Sequence, residues 1–248
     1  MRRRLCALAV LFVLAVAACS SGTSARAKTL GDDDAARLSQ VLARNYDGKG
    51  ATFVATLLVR AGITLSLRGE VDWEHHRGRA DVMWSGNPAP GRVAEVAWAN
   101  DTIVERLPGL ADALTAAGRP AATWVARPAD APNGILDRAV QFVAKLSSQQ
   151  RDNPVLLQQD ERAGWLRTVT IEGTKLDVYR YGDGLTFWVG VDDGRLRQVE
   201  GGLAGFAGPL AVAFPVAGPQ DVLGPKSADV ALVDDVRALY DRLNPAPR

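Results

Sequence analysis

Ile63-Thr64-Leu65-Ser66-Leu67-Arg68-Gly69-Glu70-Val71-Asp72-Trp73 is the stretch whose reading decides the fold. Its large apolar residues, Ile63, Leu65, Leu67, Val71 and Trp73, fall on odd positions; Thr64, Ser66, Arg68, Glu70 and Asp72 fall on even ones. Successive side chains of a strand point to opposite faces. This alternation therefore predicts a strand with one buried and one wet face, the signature of an antiparallel sheet. The strand pattern begins at Ala51 and continues past Trp73. His75-His76-Arg77-Gly78 reads as a turn, a further strand runs through Val82 and Trp84, and residues 93–99 and 102–107 make a hairpin about Asn100-Asp101.

A second set of strands follows a helical middle. Residues 110–117 read as a short helix and 128–134 as a breaker-rich loop. Residues 135–147 carry Ile135, Leu136, Ala139, Val140, Phe142, Val143 and Leu146, wider than a narrow stripe, so this helix is expected to be buried on most sides. Pro154–Gln159 adds one more turn. Strands then resume at 165–172, 175–181, 185–191 and 195–200, separated by Gly173, Asp183-Gly184 and Asp193-Gly194; the Asp-Gly pairs are hairpin signals. Residues 210–216 read as a last strand, and 229–243 as a closing amphipathic helix with Val233, Val236, Leu239 and Tyr240 on one side. A further helix is expected at 32–46, with Asp32, Asp33 and Asp34 at its positive end and Gly48 just beyond. No repeat at solenoid spacing is evident, so residues 32–248 read as one α+β domain.

The N-terminus carries a different message. Arg2, Arg3 and Arg4 precede an apolar run over residues 5–18, and Val16-Ala17-Ala18 stands before Cys19. Positive charge, a short apolar segment and small residues make a secretory signal peptide over residues 1–18. The 14-residue run is shorter than the roughly 20 residues of a membrane-spanning helix. Cysteine directly after Val-Ala-Ala resembles the bacterial lipobox, which implies cleavage before Cys19 and a diacylglycerol on its sulfur. Residues 19–31 then form a lipidated N-terminus and a small, polar linker. The expected location is outside the cytoplasm, tied to the cell membrane through Cys19. The abundance of Ala, Arg, Val and Gly beside few Lys points to a GC-rich genome such as that of an actinobacterium.

Composition argues against several functions. Residues 1–18 hold three Arg and no acid, so 26 basic and 28 acidic residues remain after cleavage. That near-neutral balance gives no electrostatic claim on nucleic acid. The only histidines, His75 and His76, are adjacent; neighbours on a strand face opposite sides, so the pair does not chelate a metal alone. Gly-x-Ser-x-Gly is absent, and the Gly-rich residues 201–208 lack the Lys-Ser or Lys-Thr of a P-loop. Two-carboxylate glycosidase chemistry stays open, as in any chain rich in acids. The expectation is a protein that is not an enzyme and uses no cofactor or metal.

What remains in surplus is apolar. Trp73, Trp84, Trp98, Trp165 and Trp188 lie on or beside the strands, around a helix that is itself nearly apolar. The inner face of such a sheet either fills a core or leaves a gap for acyl chains, and the alternation is the same for both. The expected lining is Leu65, Leu67, Val71 and Trp73, then Val82 and Trp84, then Leu136, Val140 and Val143 of the helix, then Val178, Phe187 and Val189, assigned by apolar parity.

The order of these elements resembles the LolA/LolB-like lipoprotein carriers, and especially the actinobacterial LppX/LprG-type lipoproteins. The resemblance consists of the lipobox at Cys19, the N-terminal helix, the first meander, the central helix and the second meander. The last of these ends in Leu185-Thr186-Phe187-Trp188-Val189-Gly190-Val191-Asp192-Asp193-Gly194-Arg195-Leu196. The resemblance implies a curved antiparallel β half-barrel closed by helices. It also implies a hydrophobic cavity that binds or transports a lipid or glycolipid, with an envelope transport protein as a further partner. The alternative is a non-catalytic envelope interaction or assembly lipoprotein without a ligand cavity.

Overall fold

The predicted alternation appears as a long hairpin, β1 (Gly50–Arg60) and β2 (Ile63–Asp72), paired antiparallel from Gly50↔Asp72 to Arg60↔Ile63. The computed structural model describes residues 27–86, 93–129 and 134–244. The signal peptide expected over residues 1–18, and Cys19, lie outside the described residues. β3 (Arg77–Ser85), β4 (Glu95–Ala99), β5 (Thr102–Arg106) and β6 (Trp124–Pro128) extend the hairpin into a meander, each antiparallel to the one before. A second meander consists of β7 (Gly164–Ile171), β8 (Thr174–Tyr181), β9 (Leu185–Gly190), β10 (Leu196–Gly202) and β11 (Pro209–Ala213). It joins the first because β11 pairs with β1. A short β12 (Val230–Leu232) lies parallel to β6. The result is one open, curved sheet in the order β12-β6-β5-β4-β3-β2-β1-β11-β10-β9-β8-β7. Register shifts at Leu58/Arg60, Trp165/Arg167 and Leu196/Gln198 mark bulges, which bend and twist the strands that hold them.

Paired residues share a face of a sheet, so the register traces the core directly. One row runs Val82–Leu67–Ala55–Val212–Val199–Phe187–Tyr179 across seven strands. All seven are buried. A neighbouring row runs Trp84–Leu65–Leu57–Leu210–Gly201. Gly78 lies opposite Trp98, and a Cβ there would meet the indole at 2.0 Å. The missing side chain lets Trp98 lie flat across β3 and meet Phe53 edge-on at 6.1 Å.

Among the described residues, six α-helices accompany the sheet: α1 (Asp32–Leu38), α2 (Val41–Asp47), α3 (Leu110–Ala116), α4 (Ile135–Ala144), α5 (Pro154–Gln159) and α6 (Val233–Leu243). Among the described residues, none is long and apolar enough to cross a membrane. The helix expected at 32–46 is two helices. At the break, the Ser39 hydroxyl donates to the Ala36 carbonyl at 2.9 Å, a local bond that competes with continuing the helix. The helix expected at 229–243 starts only at Val233. Its first residues instead form β12, because pairing with β6 outweighs the helical pattern read through them. β6 itself falls where no strand was expected.

Candidate functional site

The site is built around α4. Leu136, Ala139, Val140 and Val143 stand at i, i+3, i+4 and i+7, so they share one face, and all four are buried. The expectation of burial on most sides is thus narrower in fact, since Ile135, Arg138, Gln141 and Phe142 are only half-buried. The buried face joins a single hydrophobic cluster with the inner rows of both meanders. Phe142 seats at Gly201 of β10, where a Cβ would come within 2.9 Å of its ring.

Polar bonds hold the two ends of α4. Near its start, the Asp137 carboxylate accepts both terminal nitrogens of Arg127, at 2.6 and 2.7 Å. Arg127 also donates to Glu105 at 2.5 Å, and the Tyr240 hydroxyl donates to the other Glu105 oxygen at 2.6 Å. Four elements meet there: α4, β6, β5 and α6. The side chains of Asp137 and Glu105 are 0% and 2% exposed. Burial opposes the charge on Arg127, but Asp137 and Glu105 reverse that effect and raise its pKa. Burial and the Glu105 carboxylate push the Tyr240 hydroxyl up to about 12. At the far end, the Trp73 indole donates to the Val143 carbonyl at 3.2 Å, and the Asn45 amide donates to the Leu146 carbonyl at 2.6 Å. These bonds hold the C-terminal end of α4, where the Val143 carbonyl also accepts from the Leu146 amide at 3.2 Å.

Eleven of the twelve expected lining residues lie in this cluster or against it. Leu65, Leu67, Val71, Trp73, Val82, Leu136, Val140, Val143, Phe187 and Val189 are buried within it, and Trp84 is half-buried at its edge. Val178 is on the other face. It joins Leu176 and Trp188 in a separate cluster flanked by Leu166, Val169 and Ile171. Parity misleads on β8 because its inner positions are Asp177, Tyr179 and Tyr181, which read as polar. Yet Tyr179 is fully buried; its hydroxyl donates to Asp34 at 2.8 Å, and that of Tyr181 donates to Asp152 at 2.6 Å. Burial, with the neighbouring carboxylates, raises both phenol pKa values.

The Glu105–Arg127–Asp137–Tyr240 cluster was not found from sequence. Its one signal is that Glu105 shares the inward parity of Ile103, and Asp137 interrupts the apolar run of α4.

The expected lining residues pack against one another. Among the described residues, a surface pocket of about 10 Å³ has Trp73 in its wall, and a larger one of about 600 Å³ has none of the twelve. The larger is a polar cleft formed by Asp32, Asp33, Asp34, Arg37, Lys175 and Asp177, with Trp165 and Val191. Its groups are mostly engaged: Asp177 accepts from Arg37 and Thr168, Asp34 from Tyr179, and Asp32 from Gln158. Among the described residues, no group of three His, Cys, Asp or Glu is placed to hold a metal ion. His75 instead meets Asp72 at 2.8 Å.

No family model matches the sequence, and comparison with curated proteins gives no match. Among solved structures, the chain is similar to an uncharacterized conserved protein from Thermus thermophilus, with a TM-score of 0.38 and 9% identity over 77% of this chain and 94% of the other. It is also similar to a chain of the MucA/MucB complex of Pseudomonas aeruginosa, with a TM-score of 0.32 and 15% identity over 78% and 60%. A third is a domain described as an outer membrane lipoprotein-sorting protein from Vibrio parahaemolyticus, with a TM-score of 0.32 and 10% identity over 79% and 97%. At scores and identities this low, the likenesses carry no part of the functional reading, which rests on this chain's own residues.

Proposed function

We propose that this chain is a cell-envelope lipoprotein, tied to the membrane by a lipid on Cys19. It binds the acyl part of a lipid or glycolipid between its sheet and α4, and carries out no reaction on it. In this reading the sheet is a half-barrel, α4 and its neighbouring helices close it, and an envelope transport protein is a partner in moving the lipid. One observation supports it above the others: the inner faces of both meanders and one face of α4 make a single apolar layer, while the polar fastenings of α4 lie at its two ends. A chain entering that layer replaces apolar contacts with apolar contacts. Removing an acyl chain from water is worth about 0.8 kcal/mol per CH2, so about ten buried groups contribute about 8 kcal/mol. Exposing the large side chains on the inner face of α4 costs about 1.5–3 kcal/mol each, and the incoming chain re-covers much of that surface.

A second reading, a non-catalytic interaction or assembly lipoprotein with a filled interior, is supported by the mutual packing of the expected lining residues. Native mass spectrometry of the Cys19→Ala protein, purified from its own host's envelope and extracted for lipid, separates the two. The carrier reading expects co-purifying lipid in the unmodified interior and its loss in Val140→Trp or Val143→Trp proteins that keep the native circular dichroism. Protein that stays lipid-free, and takes up nothing from envelope extracts, overturns the carrier reading and leaves the interaction module.

A further inference from the structure

The short helix α5 presents a small uncharged surface. Asn153 caps it, its carboxamide oxygen accepting from the Val155 amide at 2.9 Å, and Pro154 fixes its first turn. Leu157 packs against the core, whereas Val155 and Leu156 are 54% and 62% exposed. Residues 153–159 carry no formal charge, in a chain that is 23% charged. Two large aliphatic side chains therefore stand side by side in water on a rigid, uncharged turn.

The N-terminal tether enters the domain beside this turn. Lys28 exchanges both backbone bonds with Trp165, at 2.8 and 2.9 Å, at the start of β7, and its ammonium lies 5.0 Å from the Trp165 ring centroid. Four residues on, Asp32 accepts from Gln158 of α5 at 2.7 Å. Nine residue steps separate Lys28 from Cys19, which at full extension reach about 30 Å. A lipid on Cys19 thus keeps the start of β7 and α5 within that distance of the bilayer.

The geometry points to α5 as the membrane-contacting surface of this protein: Val155 and Leu156 enter the headgroup–acyl boundary of the same bilayer that holds Cys19. This inference rests on the lipid-anchored reading above. Leu232 on β12 is the natural control, since it is also 62% exposed and lies at the opposite edge of the sheet.

The test uses the full acylated protein in phosphatidylcholine–phosphatidylglycerol vesicles. Leu156→Cys and, separately, Leu232→Cys carry an environment-sensitive fluorophore; Cys19, as a thioether, does not react. The expected result is a blue-shifted emission at position 156 that is quenched by nitroxides on the lipid chains, and a water-like, unquenched emission at 232. Equal, water-like emission from both positions in vesicle-bound protein overturns the inference while leaving the anchor intact. Failure of the protein to sediment with vesicles, together with an unmodified Cys19 by mass spectrometry, overturns both.

Discussion

Arg127→Met tests whether the buried ion cluster fastens α4. The substitution keeps an apolar stem of similar length and deletes the guanidinium that serves Asp137 through two bonds and Glu105 through one. Both carboxylates are left in place, 0% and 2% exposed, and Glu105 retains only the Tyr240 hydroxyl among these bonds. Breaking a buried pair by removing one partner costs about 3–5 kcal/mol, because the remaining charge loses its opposite charge. Urea denaturation of the Cys19→Ala protein, with and without Arg127→Met, should show a loss of about 3–5 kcal/mol at pH 7. Adding Glu105→Gln and Asp137→Asn, which removes both carboxylate charges, should recover part of that loss. A loss below about 1 kcal/mol, or no recovery in the triple variant, would refute the argument that this cluster is buried and net-stabilising.

Other outcomes follow from single contacts. Asp72 accepts from Arg77 and His75; burial opposes its charge, but these bonds prevail and hold its carboxyl below the usual range. Its stabilisation should be full above the unfolded pKa and lost as pH falls through the lowered folded value, so Asp72→Asn should cost about 1–3 kcal/mol at pH 7 and little near pH 2 in acid titration. Gly78→Ala places a methyl against the Trp98 indole and should destabilise by about 1–3 kcal/mol, or more if Trp98 is expelled, with a change in tryptophan emission. Leu67→Ala, in the centre of the inner row, should cost about 2–5 kcal/mol by denaturant melt. Leu58→Ala, at a 40% exposed position of β1, should stay within about 0.5 kcal/mol.

The first meander was legible because one of its faces is wet. In β2 every odd large side chain is apolar and every even one polar, and the structure pairs β2 with β1 and β3 in that register. The Asp-Gly hairpins of the second meander were legible for a local reason, since positive φ at Gly184 and Gly194 suits glycine in a tight turn. β6 was not legible, because Arg127 on its inner face and Pro128 at its end hide the alternation. β12 is three residues long and forms by pairing with a strand about a hundred residues away, which no local pattern announces. On β8 parity pointed the wrong way, because tyrosines that read as polar bury their rings and send their hydroxyls to acids on other elements.

The failures at β8 and at the buried ion cluster bear on the site. In both, a polar group is satisfied by a residue far along the chain: Tyr240 reaches Glu105 across 135 residues, and Tyr179 reaches Asp34 across 145. A charge at an inward position violates the local rule for a buried strand or helix, and it persists only where distant partners compensate for its desolvation. Glu105 and Asp137 are two such violations on neighbouring elements, and Arg127 satisfies both. Apolar packing alone would let α4 slide along the flat rows beneath it, whereas a bidentate guanidinium fixes its position and angle. The buried charges thus supply the registration that a uniform apolar layer lacks. The Trp73 and Asn45 bonds at the other end of α4 reach only backbone carbonyls, so the placement of the helix over the two meanders is set by the Arg127 end.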